Sequence, residues 1–224
     1  MATFFYKISS VEPVAKYLAS VLKKHLWGGE RVLWLVSGGS SIEVAVQAAK
    51  LIANMPLYNL SVSLADERFG PAGHPDSNWQ QLQSAGFALP GAQVYPILGA
   101  DNNLQATTAK YVAFLNKSLA EARFKIGLFG MGADGHTAGI FASSPGLNST
   151  DPAVSYQADS FERITMTAAA IRQLDEAVLY ATGKNKQAVL DNLEHDLPGS
   201  QQPAQVLKQA GNLIVYNDYK GEKI

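Results

Sequence analysis

The sequence predicts a single α/β domain, a doubly wound and mostly parallel sheet with helices on both faces. Three observations predict it. Residues 31–36 form a continuous apolar run with β-branched content, the mark of a strand buried on both faces. That run passes into a glycine-rich turn and then an Ala- and Val-rich helix, which is how a doubly wound fold starts. Strand and helix patterns then alternate to the end of the chain without a linker, repeat or composition shift, so residues 1–224 are read as one domain.

Residues 11–24 place Val14, Tyr17, Leu18, Val21 and Leu22 at helical spacing, with Gly28-Gly29 beyond as a stop. The strand 31–36 follows, then the turn Ser37-Gly38-Gly39-Ser40-Ser41 and a helix over 42–53. Residues 60–65 read as the next strand, ending in Asp66-Glu67-Arg68. A polar loop with Gly70, Pro71, Gly73 and Pro75 leads to a short helix at 78–84, with a strand at 94–97. Residues 104–122 form an amphipathic helix and 125–129 a strand. Strands at 163–166 and 177–181 flank a helical piece at 168–174. A helix at 186–193 and a strand at 213–216 complete the pattern.

Composition excludes several classes. The 224 residues carry a net charge of −1, so no global basic field holds nucleic acid or an anionic membrane. There is no cysteine, which excludes disulfides, thiolate nucleophiles and Cys-ligated zinc, and fits a reducing compartment. The apolar runs are strand-sized and too short to span a bilayer. Residues 1–10 lack the long apolar core of a signal peptide. A cytoplasmic protein is expected, and a monomer, since no exposed apolar helix argues for assembly.

Four segments carry chemistry. The amides of Ser37-Gly38-Gly39-Ser40 can converge on an anion at a helix N-terminus, with Ser40 or Ser41 as cap; the same residues also suit a plain tight turn. It is not a P-loop, because the Gly-Lys-Ser/Thr ending is missing. Asp66-Glu67-Arg68 can be a solvated strand edge, or it can supply Arg68, whose donor fork suits a phosphate. Ser77 and Asn78 read as helix caps, and His74 as incidental. Gly130 to Phe141 packs glycines, Asp134, His136 and Thr137 into one turn after a strand. There an imidazole can take a proton from water while a carboxylate orients the ring. The alternative is a histidine capping a helix. Gly183-Lys184-Asn185-Lys186 offers a lysine as a mobile cation, or a solvated turn, and Arg163 is a further cation. With four histidines and none at ligand spacing from His136, a metal is not expected.

Taken in order, these segments resemble the 6-phosphogluconolactonase family, within the group that includes the glucosamine-6-phosphate deaminases. Five signatures match between Ser37 and about Leu190: the glycine loop, Asp66-Glu67-Arg68 with Pro71, His74, Asp76, Ser77 and Asn78, Asp134-Gly135-His136-Thr137-Ala138, Arg163-Ile164-Thr165, and Gly183 with Lys186. The chain departs at Ser41, Gly70 and Gly139, and no Pro-Pro pair precedes Arg163. The deaminases usually carry a glutamate where this chain has Phe141, and Asp-Glu-Tyr where it has Asp66-Glu67-Arg68.

The resemblance implies a Rossmann-like fold and hydrolysis of 6-phospho-D-glucono-1,5-lactone in the oxidative pentose phosphate pathway, without metal or cofactor. It implies that Gly38, Gly39, Ser40, Arg68 and Lys186 hold the phosphate, with Asp66 and Arg163 completing the substrate site. His136 would be the general base and Asp134 its orienting partner. Amides of residues 132–135 are the expected oxyanion donors. The rival readings are an amino-sugar-phosphate deaminase and a non-catalytic sugar-phosphate sensor.

Overall fold

The computed structural model describes residues 2–100, 103–158 and 160–224. Met1, the first residue of the N-terminal reading, lies outside them. The first half contains β1 (Ala2–Lys7), α1 (Glu12–Trp27), β2 (Val32–Val36), α2 (Ser41–Ile52), β3 (Leu60–Leu64), β4 (Asp66–Arg68), α3 (Asn78–Ser84) and β5 (Gln93–Tyr95). The second contains α4 (Leu104–Glu121), β6 (Phe124–Gly130), β7 (Ala153–Ala158), β8 (Phe161–Met166), α5 (Ala168–Ile171), β9 (Glu176–Ala181), α6 (Gln187–Asn192), β10 (Asn212–Asn217) and β11 (Glu222–Lys223).

Eight strands form one sheet in the order β11-β1-β10-β9-β6-β2-β3-β5. Each neighbouring pair is parallel. Helices surround this sheet. All five residues of β2 are buried, as a strand covered on both faces requires. Each of its Val and Leu side chains contributes about 1.5–3 kcal/mol by leaving water. The long helix α1 turns Val14, Leu18, Leu22 and Leu26 inward and packs against α2. The small Ala45, Ala48 and Ala49 of α2 are buried beside Val44 and Ile52 and allow close approach. Tyr111, Leu115 and Leu119 make the buried stripe of α4 at four-residue spacing.

A second, antiparallel sheet, β4-β8-β7, was not expected. The strand predicted at 163–166 belongs to it and not to the main sheet. The strands β1, β4, β7 and β11 are also additions to the prediction. β1 mixes exposed and half-buried positions and ends in a lysine, and β11 is two exposed residues, so neither shows a buried run. β4 is three charged residues, made a strand by its pairing with β8.

Parallel strands put their carboxyl ends on one edge. From β2 the chain winds outward to β3 and β5, whereas from β6 it winds the other way, to β9 and β10. The crevice between the ends of β2 and β6 is therefore a switch point, where open α/β sheets bind ligands. The chemistry-bearing segments follow β2, β3, β6 and β9 and so meet at that edge. Among the described residues no helix is long and apolar enough to cross a membrane.

Candidate active site

The glycine turn after β2 has a specific reason for each glycine. Gly39 sits at φ +63°, in the left-handed region that favours glycine. Gly38 lies against the Asn78 side chain, which occupies the space a Cβ would need. The expected side-chain cap is absent. Ser40 holds the cap position, but its backbone is already helical (φ −61°, ψ −19°) and its side chain makes no capping hydrogen bond. Ser41 is the first helical residue, and its buried hydroxyl has no partner among the described residues. The first turn of α2 thus keeps its amides clear of a serine cap, which suits an anion.

Asp66, Glu67 and Arg68 are not a solvated edge. Glu67 is 0% exposed and acts as a buried hub. Its carboxylate accepts from the Ser77 hydroxyl at 2.8 Å and from the N–H groups of Arg68, Asn78 and Trp79 at 2.8, 2.7 and 3.1 Å. Two of these amides open α3, where a carboxylate also meets the positive end of the helix. Burial nevertheless pushes the Glu67 carboxyl up, and those donors offset only part of it. Ser77 caps α3 as expected, accepting from Gln80 N–H at 3.1 Å. Asn78 does not cap. It turns inward, donates to the Asp66 carbonyl at 3.0 Å and lines the cleft. His74 is structural, with Nε2 3.0 Å from the Arg68 carbonyl oxygen.

Asp66 is buried with one oxygen 3.5 Å from Arg163 Nη1. Burial pushes its carboxyl up, against the pull of Arg163, Arg68 and His136. Arg68 donates from Nη1 to the Asp76 carbonyl at 2.8 Å, while its Nε has no partner among the described residues. Arg163 is likewise buried with an unpartnered Nε. Both residues line the cleft and bring positive charge to it.

After β6 the chain folds back sharply. Gly132 N–H donates to the His136 carbonyl at 2.9 Å and Gly135 N–H to the Gly132 carbonyl at 3.0 Å. These two amides are committed to the turn, so they are not the expected oxyanion donors. The turn sets Asp134 Oδ1 2.6 Å from His136 Nδ1 and 3.2 Å from the His136 amide nitrogen. Burial acts to raise the Asp134 carboxyl, but the His136 N–H and ring outweigh it, and the net shift is downward. With Nδ1 engaged, Nε2 is the nitrogen left for a reactant. The Phe141 ring stacks on the imidazole with centroids 4.4 Å apart. Thr137 is buried and ties its hydroxyl to the Gly130 carbonyl at 2.8 Å.

These segments enclose one cavity of about 220 Å³. Gly38, Gly39 and Ser40 line it from the glycine turn, and Asp66 and Arg68 from β4. His136, Arg163 and Lys186 complete the wall. Asp134 stands behind His136, outside the wall. Burial lowers the Lys186 amine, with Asp218 partly restoring it. Wall residues outside the predicted site set include Ser37, Asn78 and Ala138, which the matched motifs contain, and Gly130 and Met131. Ser37 and Asn78 are polar residues within those motifs, so a place on the cleft was readable for both. Ala138 ends the Asp134–Ala138 motif without a polar group to single it out, and it holds φ +49°, an uncommon backbone state for a residue with a Cβ. Among the described residues, no three His, Asp or Glu side chains gather as a metal site.

The chain is similar to several known proteins. The chain is 27% identical over 189 residues to 6-phosphogluconolactonase of Synechocystis sp., covering 80% of this chain and 78% of that protein. It is 30% identical over 243 residues to probable 6-phosphogluconolactonase 1 of Arabidopsis thaliana, covering 94% and 86%. It is 28% identical over 207 residues to the human GDH/6PGL endoplasmic bifunctional protein, covering 85% of this chain but only 26% of that longer protein. The fold matches the crystal structure of 6-phosphogluconolactonase from Thermotoga maritima with a TM-score of 0.83 at 21% identity, over 96% of this chain and 99% of that one. It also matches a monomeric glucosamine-6-phosphate deaminase with a TM-score of 0.79 at 19% identity, over 98% of each. Residues 8–215 match the family described as glucosamine-6-phosphate isomerases/6-phosphogluconolactonase, and the chain belongs to that family.

Proposed function

We propose that this chain hydrolyses 6-phospho-D-glucono-1,5-lactone to 6-phospho-D-gluconate. The observation that carries the reading is the His136–Asp134 pair at 2.6 Å on the same cleft as a glycine turn and three cations. The phosphate rests on the amides of Gly38 and Gly39, with Ser40, Arg68 and Lys186. That remote binding energy fixes the lactone carbonyl near His136. His136 Nε2 takes a proton from water as the water oxygen bonds to the carbonyl carbon. Asp134 accepts from Nδ1–H and stabilises the imidazolium. Arg163 supplies positive charge as the carbonyl oxygen becomes an oxyanion. The bond from carbon to ring oxygen then breaks, and His136 returns its proton to that oxygen. The lactone is reactive, so a general base contributing about 10²–10⁴-fold suffices alongside positioning.

The Phe141 ring against His136 supports hydrolysis over amine loss, because an apolar ring stands where the deaminases usually carry a glutamate. We further read the chain as one domain, residues 1–224, acting as a cytoplasmic monomer. The compartment reading is supported by the absence of cysteine, which fits a reducing environment. The test is acid release from lactone generated in situ, with His136→Ala beside the unaltered chain. The reading expects release well above the spontaneous rate and its loss in the variant. Release at the spontaneous rate with the unaltered chain ends it.

A further inference from the structure

A single hydrogen bond does not fix an imidazole. Asp134 holds Nδ1, but rotation about χ2 is soft for a ring on a tetrahedral carbon. The dyad is also open, with side chains 33% exposed at His136 and 58% at Asp134. The second restraint is on the ring face. Phe141 lies nearly parallel to the imidazole, 19° between planes at 4.4 Å between centroids. Phe141 is itself held, because the Arg163 guanidinium packs over its ring at 5.2 Å from the centroid. Arg163 is anchored in turn by buried Asp66 and by the pairing of β8 with β4. A chain of contacts therefore runs from the second sheet to the plane of the base.

We propose that Phe141 is a positioning residue. Its ring sets the plane of His136 so that Nε2 faces the attacking water, and Arg163 holds it there. The proposal rests on the reading of His136 as general base. It assigns β8, an element remote in sequence, a part in orienting that base.

The experiment compares Phe141→Leu and Phe141→Tyr with the unaltered chain and His136→Ala in the lactone assay. Phe141→Leu is expected to lower kcat about 10- to 100-fold while KM stays within about twofold, because a misplaced base costs rate and not binding. Phe141→Tyr keeps the ring face and is expected to restore kcat to within about threefold. A second measurement does not depend on turnover. The His136 Nδ1–H proton, followed by ¹H–¹⁵N NMR, is expected to be sharp in the unaltered chain and in Phe141→Tyr, and broadened in Phe141→Leu.

Normal kcat in Phe141→Leu, where His136→Ala is inactive, overturns the proposal and leaves the general base standing. A joint loss of kcat, affinity and melting temperature that tyrosine does not repair also overturns it, since that is general packing. If the unaltered chain fails to hydrolyse the lactone, the general-base reading falls. An Nδ1–H signal in Phe141→Leu as sharp as that of the unaltered chain overturns the ring-holding role by itself.

Discussion

Gly132→Ala isolates the geometry of the dyad from every other part of the site. Gly132 is not among the positive-φ residues, so an alanine meets no backbone penalty there and the effect is steric. A Cβ at this position would fall within 3.0 Å of His136 Nδ1, His136 Cε1 and Asp134 Oδ1, whereas ordinary contact begins at 3.4 Å. Ring and carboxylate must therefore give way by about 1 Å. Both side chains are partly exposed and can move outward, so overpacking is expected to lower stability by only about 1–3 kcal/mol. Catalysis tolerates less. A shift of about 1 Å can cost roughly 100-fold in rate. At 1.36 kcal/mol per tenfold, that is about 2.7 kcal/mol of activation free energy. The proposed phosphate contacts come from residues other than this dyad, so KM is expected to hold within about threefold. The assay is lactone hydrolysis followed by acid release, with a thermal melt in parallel. A kcat within about twofold of the unaltered chain refutes the claim that the 2.6 Å pairing is needed for turnover.

Arg68→Ala removes a cation from the proposed phosphate site and is expected to raise KM about tenfold with a smaller change in kcat, read from steady-state kinetics. Equal hydrolysis of a non-phosphorylated lactone by the unaltered chain would contradict that role. Glu67→Ala strips the acceptor from four donors at the start of α3 and is expected to cost about 1.5–3 kcal/mol in a denaturant titration. A loss below about 1 kcal/mol would mean the hub adds nothing over water. Asp134 gives a pH signature. Its folded pKa lies below the ordinary value, so its contribution to stability is complete above an unfolded pKa of about 3.9 and is lost as pH falls through the folded value. The unaltered chain should therefore exceed Asp134→Asn in stability at neutral pH and converge with it in acid. A gap that persists undiminished into acid contradicts the pairing.

What the sequence revealed follows the distinction between local and long-range causes. β2 was legible because five consecutive apolar residues leave no other burial pattern, and α3 because Ser77 and a polar loop mark its start. The site was legible because each of its segments follows a strand in the chain, and parallel strands deliver their ends to one edge. β4 was not legible, because Asp66↔Thr165 and Arg68↔Arg163 pair residues about a hundred positions apart. β1 depends on a partner still more distant, with Tyr6 opposite Tyr216. The role of Glu67 was not legible for a related reason. A carboxylate between two other charges looks solvated until a helix start arrives from ten residues downstream to bury it. At Ser40, the backbone conformation of the cap residue decided against a familiar capping pattern, and sequence does not encode that conformation directly.

The departures at Gly70 and Gly139 acquire a physical meaning from the second sheet. At Gly139 a Cβ would stand 2.8 Å from Thr165 Cβ and 3.1 Å from its hydroxyl. In place of a side chain, Gly139 N–H meets Thr165 Oγ1 at 3.1 Å and its carbonyl accepts from the Tyr156 hydroxyl at 2.6 Å. The dyad turn is thus bonded directly to β8 and β7. At Gly70 a Cβ would lie 3.0 Å from the His74 ring, whose Nε2 meets the Arg68 carbonyl. Neither glycine lines the cavity. Each lets the backbone beside a cavity residue approach a neighbour, Arg163 through β8 in one case and Arg68 in the other. Arg163 reaches the wall although no Pro-Pro pair precedes it, because its place is set by pairing with Arg68 and by Asp66. The substituted positions therefore act where the small antiparallel sheet meets the cleft, and they leave Arg68 and Arg163, which the motifs named, in the cavity wall.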